Sequence, residues 1–266
     1  MVRIGIVGAG TIGAAIARAI VTGQIPATLS GLHSRTVSRA ADVAAALTPT
    51  PPILALPDLV EASDLVVEAA TGAALADIVP ACLAERVDVY VLSVGGLLDH
   101  EDWFEEASRR GARIIIASGA IAGLDGIRGA AIGRIDSVTL TTRKPPRGLA
   151  GAPFVTAHGL DLDALKEEAL IFDGTAREAC RGFPANVNVS AAVSFAGVGP
   201  DRTRVRIIAV PGGRFNQHRI EVLGAFGRLV IEVENVPSST NPRTGVLSIQ
   251  SSIAALSDYA RAWRPK

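Results

Sequence analysis

Short β-branched runs alternate with longer segments of helical periodicity over residues 2–117 of the chain. This alternation is typical of a parallel sheet that is covered by helices on both faces. It predicts five strands, at residues 2–7, 28–33, 64–69, 87–94 and 112–117. It predicts four main helices between them, at residues 12–22, 37–47, 73–85 and 101–110.

The pattern changes beyond residue 120, where strand-favouring residues are no longer followed regularly by helices. Glycines at 224 and 227 predict a hairpin connection between the last two strands. Residues 151–159 predict a loop, and residues 246–263 predict a helix. The second part is therefore expected to be an α+β domain with a mostly antiparallel sheet. Its predicted strands lie at residues 137–144, 203–210, 219–223 and 229–234.

The first predicted strand runs directly into a glycine turn and then into an alanine-rich helix. A Gly-x-Gly-x-x-Gly turn in this context is the fingerprint of a dinucleotide-binding site, with a purely structural turn as the alternative. The first glycine allows the sharp turn, the second lets a pyrophosphate approach the backbone, and the third allows close helix packing. Backbone N–H groups at the helix start would face the phosphates. The predicted cofactor-binding residues here are Gly8, Gly10, Thr11, Ile12 and Gly13.

These patterns predict two domains. Residues 1–119 would form a Rossmann-type, doubly wound parallel sheet that binds a dinucleotide. Residues 120–244 would form the second domain, for substrate binding, catalysis and oligomerisation. The helix at residues 245–266 is expected to pack back on the first domain.

The end of the second strand bears on the choice of nucleotide. An acidic residue usually follows there and binds the ribose hydroxyls, but this chain has Ser34 and Arg35, with Arg39 nearby. A guanidinium can bind a 2′-phosphate with two hydrogen bonds. The sequence therefore favours NADP over NAD. Alternatively, Arg35 only begins an exposed helix.

Composition narrows the class of protein. Of the 266 residues, 48% are hydrophobic and 20% are charged, and the formal net charge is zero, so neither nucleic acid nor an anionic membrane is an expected partner. The hydrophobic runs are too short to span a bilayer, and the N-terminus does not resemble a signal peptide. Cys82 and Cys180 do not form a disulfide framework or a metal site by their spacing, so no metal is expected. We expect a cytoplasmic protein.

Two polar residue types are candidates for proton transfer. Among the four histidines, His218 stands out because it begins a strand beside other polar groups, and histidine titrates near physiological pH. Glu68, at the end of the third strand, is either a catalytic acid or a structural residue. From spacing alone, a single histidine on a strand is weak evidence of catalysis.

The chain resembles the L-aspartate dehydrogenase family over nearly its whole length. The resemblance rests on sequence blocks that occur in a fixed order. They are residues 64–70, 92–97, 118–125, 140–146, 183–189, 216–221, 224–227 and 241–244.

The resemblance implies the roles of several residues. His218 matches the catalytic histidine of the family, and Ala120 and Asn188 match contacts to the cofactor. Binding a dicarboxylate needs cationic or donor groups, for which we expect Lys144, Asn241 and Thr244. Arg143 is an alternative, because strand alternation places it on the face opposite Lys144. The alternative for Lys144 is an ion pair with a surface carboxylate.

The resemblance implies reversible oxidation of L-aspartate with NADP or NAD, giving iminosuccinate and then oxaloacetate and ammonia. One alternative is a reductase of another imine or 2-oxo acid, and another is a non-catalytic NADP(H) sensor. The expected partners are a small-molecule substrate and, through the antiparallel sheet, a second copy of the chain in a homodimer.

Overall fold

The computed structural model describes residues 1–184, 188–236 and 245–265. It divides into two compact units, one of Met1–Ala117 with Ile249–Lys266 and the other of Ser118–Ser248. The predicted division lies after residue 119, and the predicted C-terminal helix that packs on the first domain begins at residue 245. Within the described ranges, no helix is long and apolar enough to cross a membrane.

The first unit contains a sheet of five parallel strands, as predicted. The order across the sheet is β2-β1-β3-β4-β5, so the strand order reverses between β1 and β3, and ligands of open α/β sheets bind at such a point. The central strands β3 and β4 are buried along their whole length, which their continuous apolar runs require. The strands are β1 (Arg3–Val7), β2 (Thr28–His33), β3 (Leu65–Glu68), β4 (Asp88–Val91) and β5 (Ile114–Ile116).

Strand β4 ends three residues before the predicted position. Beyond Val91, the backbone N–H groups of Leu92 and Ser93 donate to the carboxylate of Glu68, and a 3₁₀ turn follows at Val94–Leu97. The apolar run therefore continues past the point at which the strand pairing stops. The helices of this unit are α1 (Thr11–Val21), α2 (Val37–Ala45), α3 (Leu56–Glu61), α4 (Leu75–Ala84) and α5 (Asp102–Arg110).

The C-terminal helix α10 (Val246–Ala262) contributes to the core of the first unit. Its Leu256 is fully buried in that core. Its Tyr259 hydroxyl donates to Oδ2 of the buried Asp88 at 2.8 Å. Asp88 also pairs with Arg113, whose guanidinium stacks over the Tyr259 ring. The helix is therefore attached to the sheet by a buried carboxylate as well as by apolar contacts.

We expect Tyr259→Phe to lower the free energy of unfolding by about 1.5–3 kcal/mol, because it removes a hydrogen bond to a buried charged group. Urea unfolding at a constant m-value measures this change. Asp258→Asn is the control, since Asp258 lies on the same helix, is largely exposed, and pairs with Arg261 only at 3.8 Å. Equal unfolding free energies for wild type and Tyr259→Phe would show that the bond contributes nothing.

The second unit contains a five-stranded sheet of order β10-β9-β6-β8-β7. Only the central pair, β6 and β8, is parallel among the described strands, so the prediction of a mostly antiparallel sheet is confirmed. The strands are β6 (Ile135–Lys144), β7 (Ala169–Thr175), β8 (Thr203–Ala209), β9 (Asn216–Gly224) and β10 (Gly227–Asn235). The helices are α6 (Leu124–Ala130), α7 (Pro153–Ala157), α8 (Ala176–Gly182) and α9 (Asn188–Ala196).

Strand β7 was not predicted from the sequence, and residues 151–159, predicted to be a loop, contain helix α7. Strand β7 escaped detection because its pairing with β8 shifts register between Leu170 and Phe172, which interrupts the alternation of buried and exposed positions. Helix α7 begins with Pro153 at its first turn, where proline is tolerated. Gly151 and Gly159, on either side of this short helix, favoured the prediction of a loop.

Alternation along the central strands gives the second sheet one buried face. On β6, Val138, Leu140, Thr142 and Lys144 are buried, and the residues between 138 and 144 that alternate with them are half-exposed. The buried positions of β6 pair with buried positions of β9, including Leu140 with Ile220 and Thr142 with His218. The face is therefore apolar along most of its length and becomes polar where β6 ends and β9 begins.

Candidate active site

The glycine turn lies between β1 and α1, at the point where the strand order reverses. Gly8 has φ +110°, and a Cβ there would collide with the backbone of Ala69. A Cβ on Gly13 would collide with the carbonyl oxygen of Gly8. Both positions therefore require glycine for the fold itself.

Gly10 differs from these two glycines. A Cβ at Gly10 would meet no described atom within 4 Å, and its extended backbone is open to any residue. Gly10 is the N-cap of α1, whose first turn carries no acidic side chain and no side-chain cap. The N–H groups of Thr11, Ile12 and Gly13 precede the first intrahelical bond, from Ala14 to Gly10. The arrangement suits an anion, and no described atom lies where a Gly10 side chain would be.

The end of β2 supplies cationic groups near this turn in the chain. The Gly8 N–H donates to the carbonyl of His33, which joins the turn to β2. His33 Nδ1 donates to the Leu54 carbonyl at 2.9 Å, and Ser34 Oγ accepts from the Thr36 N–H at 3.2 Å. The Arg35 side chain is exposed. The sequence from 33 to 39 contains no carboxylate.

Glu68 is fully buried at the end of β3. Its carboxylate accepts four hydrogen bonds, from the N–H groups of Ala70, Leu92 and Ser93 and from the Ser93 hydroxyl. Burial raises its pKa, and the four donors act in the opposite direction. The geometry therefore gives Glu68 the structural role of joining two strand ends.

The polar end of the second sheet brings together Thr142, Lys144 and His218. Thr142 Oγ1 and His218 Nδ1 are hydrogen-bonded at 3.0 Å across the β6–β9 pair. The side chain of Lys144 lies two residues further along the same buried face of β6. The exposed fractions are only 4% for His218, 5% for Thr142 and 7% for Lys144. We call these three residues the polar cluster.

Burial changes the protonation of the polar cluster. It lowers the pKa of His218 to about 3, with a further contribution from the charge of Lys144. It lowers the pKa of Lys144 to about 8. At neutral pH, His218 is therefore a neutral imidazole and Lys144 is a cation that burial disfavours. A neutral imidazole can accept a proton, and a buried cation favours an anionic ligand.

The shifted pKa of Lys144 makes stability depend on pH. Between pH 8 and about 10.5, the unfolded chain binds a proton that the folded chain releases, so the free energy of unfolding rises with pH. We expect Lys144→Met to remove this rise, as measured by urea unfolding across that range. Lys166→Met, at an exposed lysine of the same unit, should keep it. An identical rise in the Lys144→Met variant would contradict the assignment.

The structure separates Lys144 from the alternative Arg143. Arg143 lies on the half-exposed face of β6 and pairs with Glu168. Lys144 lies on the buried face of the same strand, with an exposed fraction of 7%, and its contact with a substrate stays a prediction. Asn241 and Thr244, the other predicted substrate-binding residues, lie outside the described residues.

The two remaining residues of the prediction lie in the second unit. Ala120 belongs to the segment that begins the unit, and its carbonyl accepts a hydrogen bond from Asn235 Nδ2 at 2.9 Å. Asn188 is exposed at the start of α9. Their contacts with a cofactor stay predictions.

The sequence did not reveal Thr142 as the partner of His218 or Asn235 as the partner of Ala120. Thr142 could have been found, because it lies two positions from Lys144 and so shares its face of a strand. Asn235 gave no such signal, since its partner Ala120 is distant in the chain. The other histidines lie in ordinary surroundings: His100 stacks on Trp103, and His158 Nδ1 donates to the Phe154 carbonyl.

Known proteins of one family are similar to the chain along nearly its whole length. The family model described as "Aspartate dehydrogenase, C-terminal" matches residues 125–259, and the model "Homoserine dehydrogenase, NAD binding domain" matches residues 8–117. An L-aspartate dehydrogenase of Methanosarcina mazei is 46% identical over 260 residues, and one of Methanocella arvoryzae is 47% identical over 261 residues. Each match covers 96% of both chains.

A solved structure supports the fold. The crystal structure of aspartate dehydrogenase from Thermotoga maritima matches with a TM-score of 0.74 and 23% identity, over 100% of both chains. At this level of identity, the match shows the architecture of the chain and no more.

Proposed function

Because the chain belongs to the L-aspartate dehydrogenase family, we propose that it oxidises L-aspartate reversibly with NAD(P). The products are iminosuccinate and then, after hydrolysis, oxaloacetate and ammonia. The observation that carries the proposal is the buried polar cluster of Thr142, Lys144 and His218 in the second unit. NAD(P), when bound, would supply a hydride acceptor for this oxidation.

The first unit is suited to hold NAD(P). Gly10 and the N–H groups of Thr11, Ile12 and Gly13 would hold the pyrophosphate, and Gly8 gives the turn its shape. The open space at Gly10 supports this assignment, because no described protein atom explains the missing side chain.

His218 is proposed as the residue that moves protons. If its Nδ1–H donates to Thr142 Oγ1, then Nε2 is the basic atom and can accept a proton from the substrate amino group or from the attacking water. Thr142 would hold the ring and select this tautomer. In the reductive direction, the same atom would return the proton.

Lys144 is proposed to bind a carboxylate of the substrate. Burial is the larger cause of the low pKa of His218, and the charge of Lys144 is the smaller one. A dicarboxylate beside the ammonium would offset that charge, so substrate binding would raise the pKa of His218 by removing the smaller cause. Lys144 would therefore bind the substrate and also influence the pKa of His218.

The test of this function is an absorbance assay for the reduced nicotinamide, with L-aspartate and a panel of other amino acids. Preferential turnover of L-aspartate supports the proposal. Turnover only in the reductive direction, with another imine or 2-oxo acid, would favour the reductase reading. Tight cofactor binding without turnover of any amino acid or oxo acid would contradict an enzymatic function.

We propose that NADP is preferred over NAD, on the basis of Ser34 and the exposed Arg35 at the end of β2. We expect Arg35→Ala to raise KM for NADP about tenfold or more and to leave KM for NAD unchanged, because only NADP has the 2′-phosphate. Steady-state kinetics with both cofactors measures the effect. Arg18→Ala, an exposed arginine on α1, is the control. A wild type that prefers NAD would contradict the proposal.

We also propose a homodimer formed through the outer face of the second sheet. That face is half-exposed and carries cross-strand ion pairs, with Arg219 between Glu221 and Glu232 and with Arg228 against Glu221. Light scattering on the purified protein tests this state. A monomer at micromolar concentration would contradict it.

A further inference from the structure

Asn235, the last residue of β10, has a buried side-chain amide. Among the described residues, only its nitrogen has a hydrogen-bond partner. Its exposed fraction is 2%. Nδ2 donates to the Ala120 carbonyl at 2.9 Å. Oδ1 is enclosed, and no group in the described part of the chain donates a hydrogen bond to it. A buried acceptor without a donor is uncommon and calls for an explanation.

The bond to Ala120 fixes the direction of this acceptor. An amide has a donor end and an acceptor end. Turning the amide over would place Oδ1 against the Ala120 carbonyl, so that two acceptors would face each other. Nδ2 therefore binds the Ala120 carbonyl, and Oδ1 points away from that carbonyl.

The position of Asn235 relates it to the polar cluster. On β10, Val233 pairs with His218, and Asn235 lies two residues further along and pairs with Asn216. Residues two apart share a face of a strand, so Asn235 and His218 lie on the same buried face as diagonal neighbours. Diagonal neighbours on adjacent strands are separated by about 7–8 Å. A small molecule that contacts the His218 ring is therefore within reach of Asn235.

The segment held by Asn235 packs along the same strand. A Cβ at Gly123 would collide with the Ile231 side chain, and one at Gly126 would lie 3.4 Å from Leu229. Ile231 and Leu229 precede Asn235 by four and six residues, so they lie on its face of β10. Asn235 thus joins the segment around Ala120 to the face that carries the polar cluster.

We propose that Asn235 is a ligand-binding residue whose Oδ1 accepts a hydrogen bond from an N–H group of a small molecule bound at the polar cluster. The inference rests on the proposed function, which offers two such groups. One is the amino group of the amino-acid substrate, and the other is the carboxamide of NAD(P). Nδ2, bound to Ala120, keeps the acceptor aligned.

The test compares ligand pairs that differ in the N–H group. Calorimetry measures the affinities of wild type and of Asn235→Leu for two pairs of ligands. The first pair is L-aspartate and succinate, which lacks the amino group. The second pair is NAD(P) and its analogue with nicotinic acid in place of nicotinamide, which lacks the carboxamide N–H groups. In one of the two pairs, we expect Asn235→Leu to lower the affinity for the ligand with the N–H group about tenfold, which corresponds to about 1.4 kcal/mol. The affinity for the other ligand of that pair should not change. Loss in the first pair identifies the amino group, and loss in the second identifies the carboxamide.

Two further variants separate this role from a structural one. Ile231→Ala loosens the same segment without touching Oδ1, so it should weaken both members of a pair equally or neither. Asn235→Gln retains both the donor and the acceptor end of the amide and should keep the preference for the N–H ligand, which also covers the case in which Asn235→Leu does not fold. Equal losses for both members of each pair in Asn235→Leu would overturn the proposal.

The outcomes also distinguish this inference from the proposed function. A wild type that turns over L-aspartate, with no selective loss in Asn235→Leu, overturns only the role of Asn235. A wild type that binds neither L-aspartate nor NAD(P) overturns both.

Discussion

Replacing His218 by alanine is expected to lower kcat for L-aspartate oxidation by about 10²–10⁴-fold, the usual effect of removing a general acid–base group. The imidazole is buried at 4% exposure, neutral, and held by Thr142 at 3.0 Å. No other histidine shares this setting in the described residues. The proposed pyrophosphate-binding turn belongs to the other unit, so most of the affinity for NAD(P) should remain.

The measurement combines steady-state turnover with calorimetry for the cofactor. His158→Ala is the matched control, because His158 is an exposed histidine of the same unit. His218→Gln provides a second variant that retains polar volume, and thermal unfolding confirms that both variants are folded. Turnover at the wild-type rate in either folded His218 variant would show that another group moves the proton.

Replacing Gly10 by valine is expected to raise the Kd for NAD(P) at least about tenfold while the melting temperature stays at the wild-type value. The backbone of Gly10 is extended, and a Cβ there meets no described atom within 4 Å. A pyrophosphate at the start of α1 would meet the new side chain directly. The substitution therefore separates cofactor binding from folding.

Gly13→Ala is the contrasting variant. Its Cβ would collide with the Gly8 carbonyl, so we expect a loss of about 1–3 kcal/mol of stability together with loss of binding. Calorimetry with NAD(P) and thermal unfolding measure both variants. If Gly10→Val binds NAD(P) as tightly as wild type, the turn has only a structural role and the pyrophosphate is not held there.

The elements of the first unit were predictable because their signals are local. Strand β2 has the predicted bounds, 28–33, and α1 begins within one residue of its predicted start. Strand β7 was missed because a register shift with β8 interrupts its pattern. Strand β4 was predicted too long because the Ser93 N–H donates to the Glu68 carboxylate and not to a strand carbonyl.

The sequence by itself determined the order of the elements, the glycine turn, the family and His218 as the candidate base, because periodicity and short motifs act over a few neighbouring residues. Only the tertiary structure decided the partner of His218, the burial of Lys144 and the hydrogen bonds of Glu68. It also left Asn235 Oδ1 buried without a donor among the described residues. Thr142 and His218 are 76 positions apart in the chain. Their contact, and the desolvation that lowers the pKa of His218 and of Lys144, depend on strand pairing between distant segments.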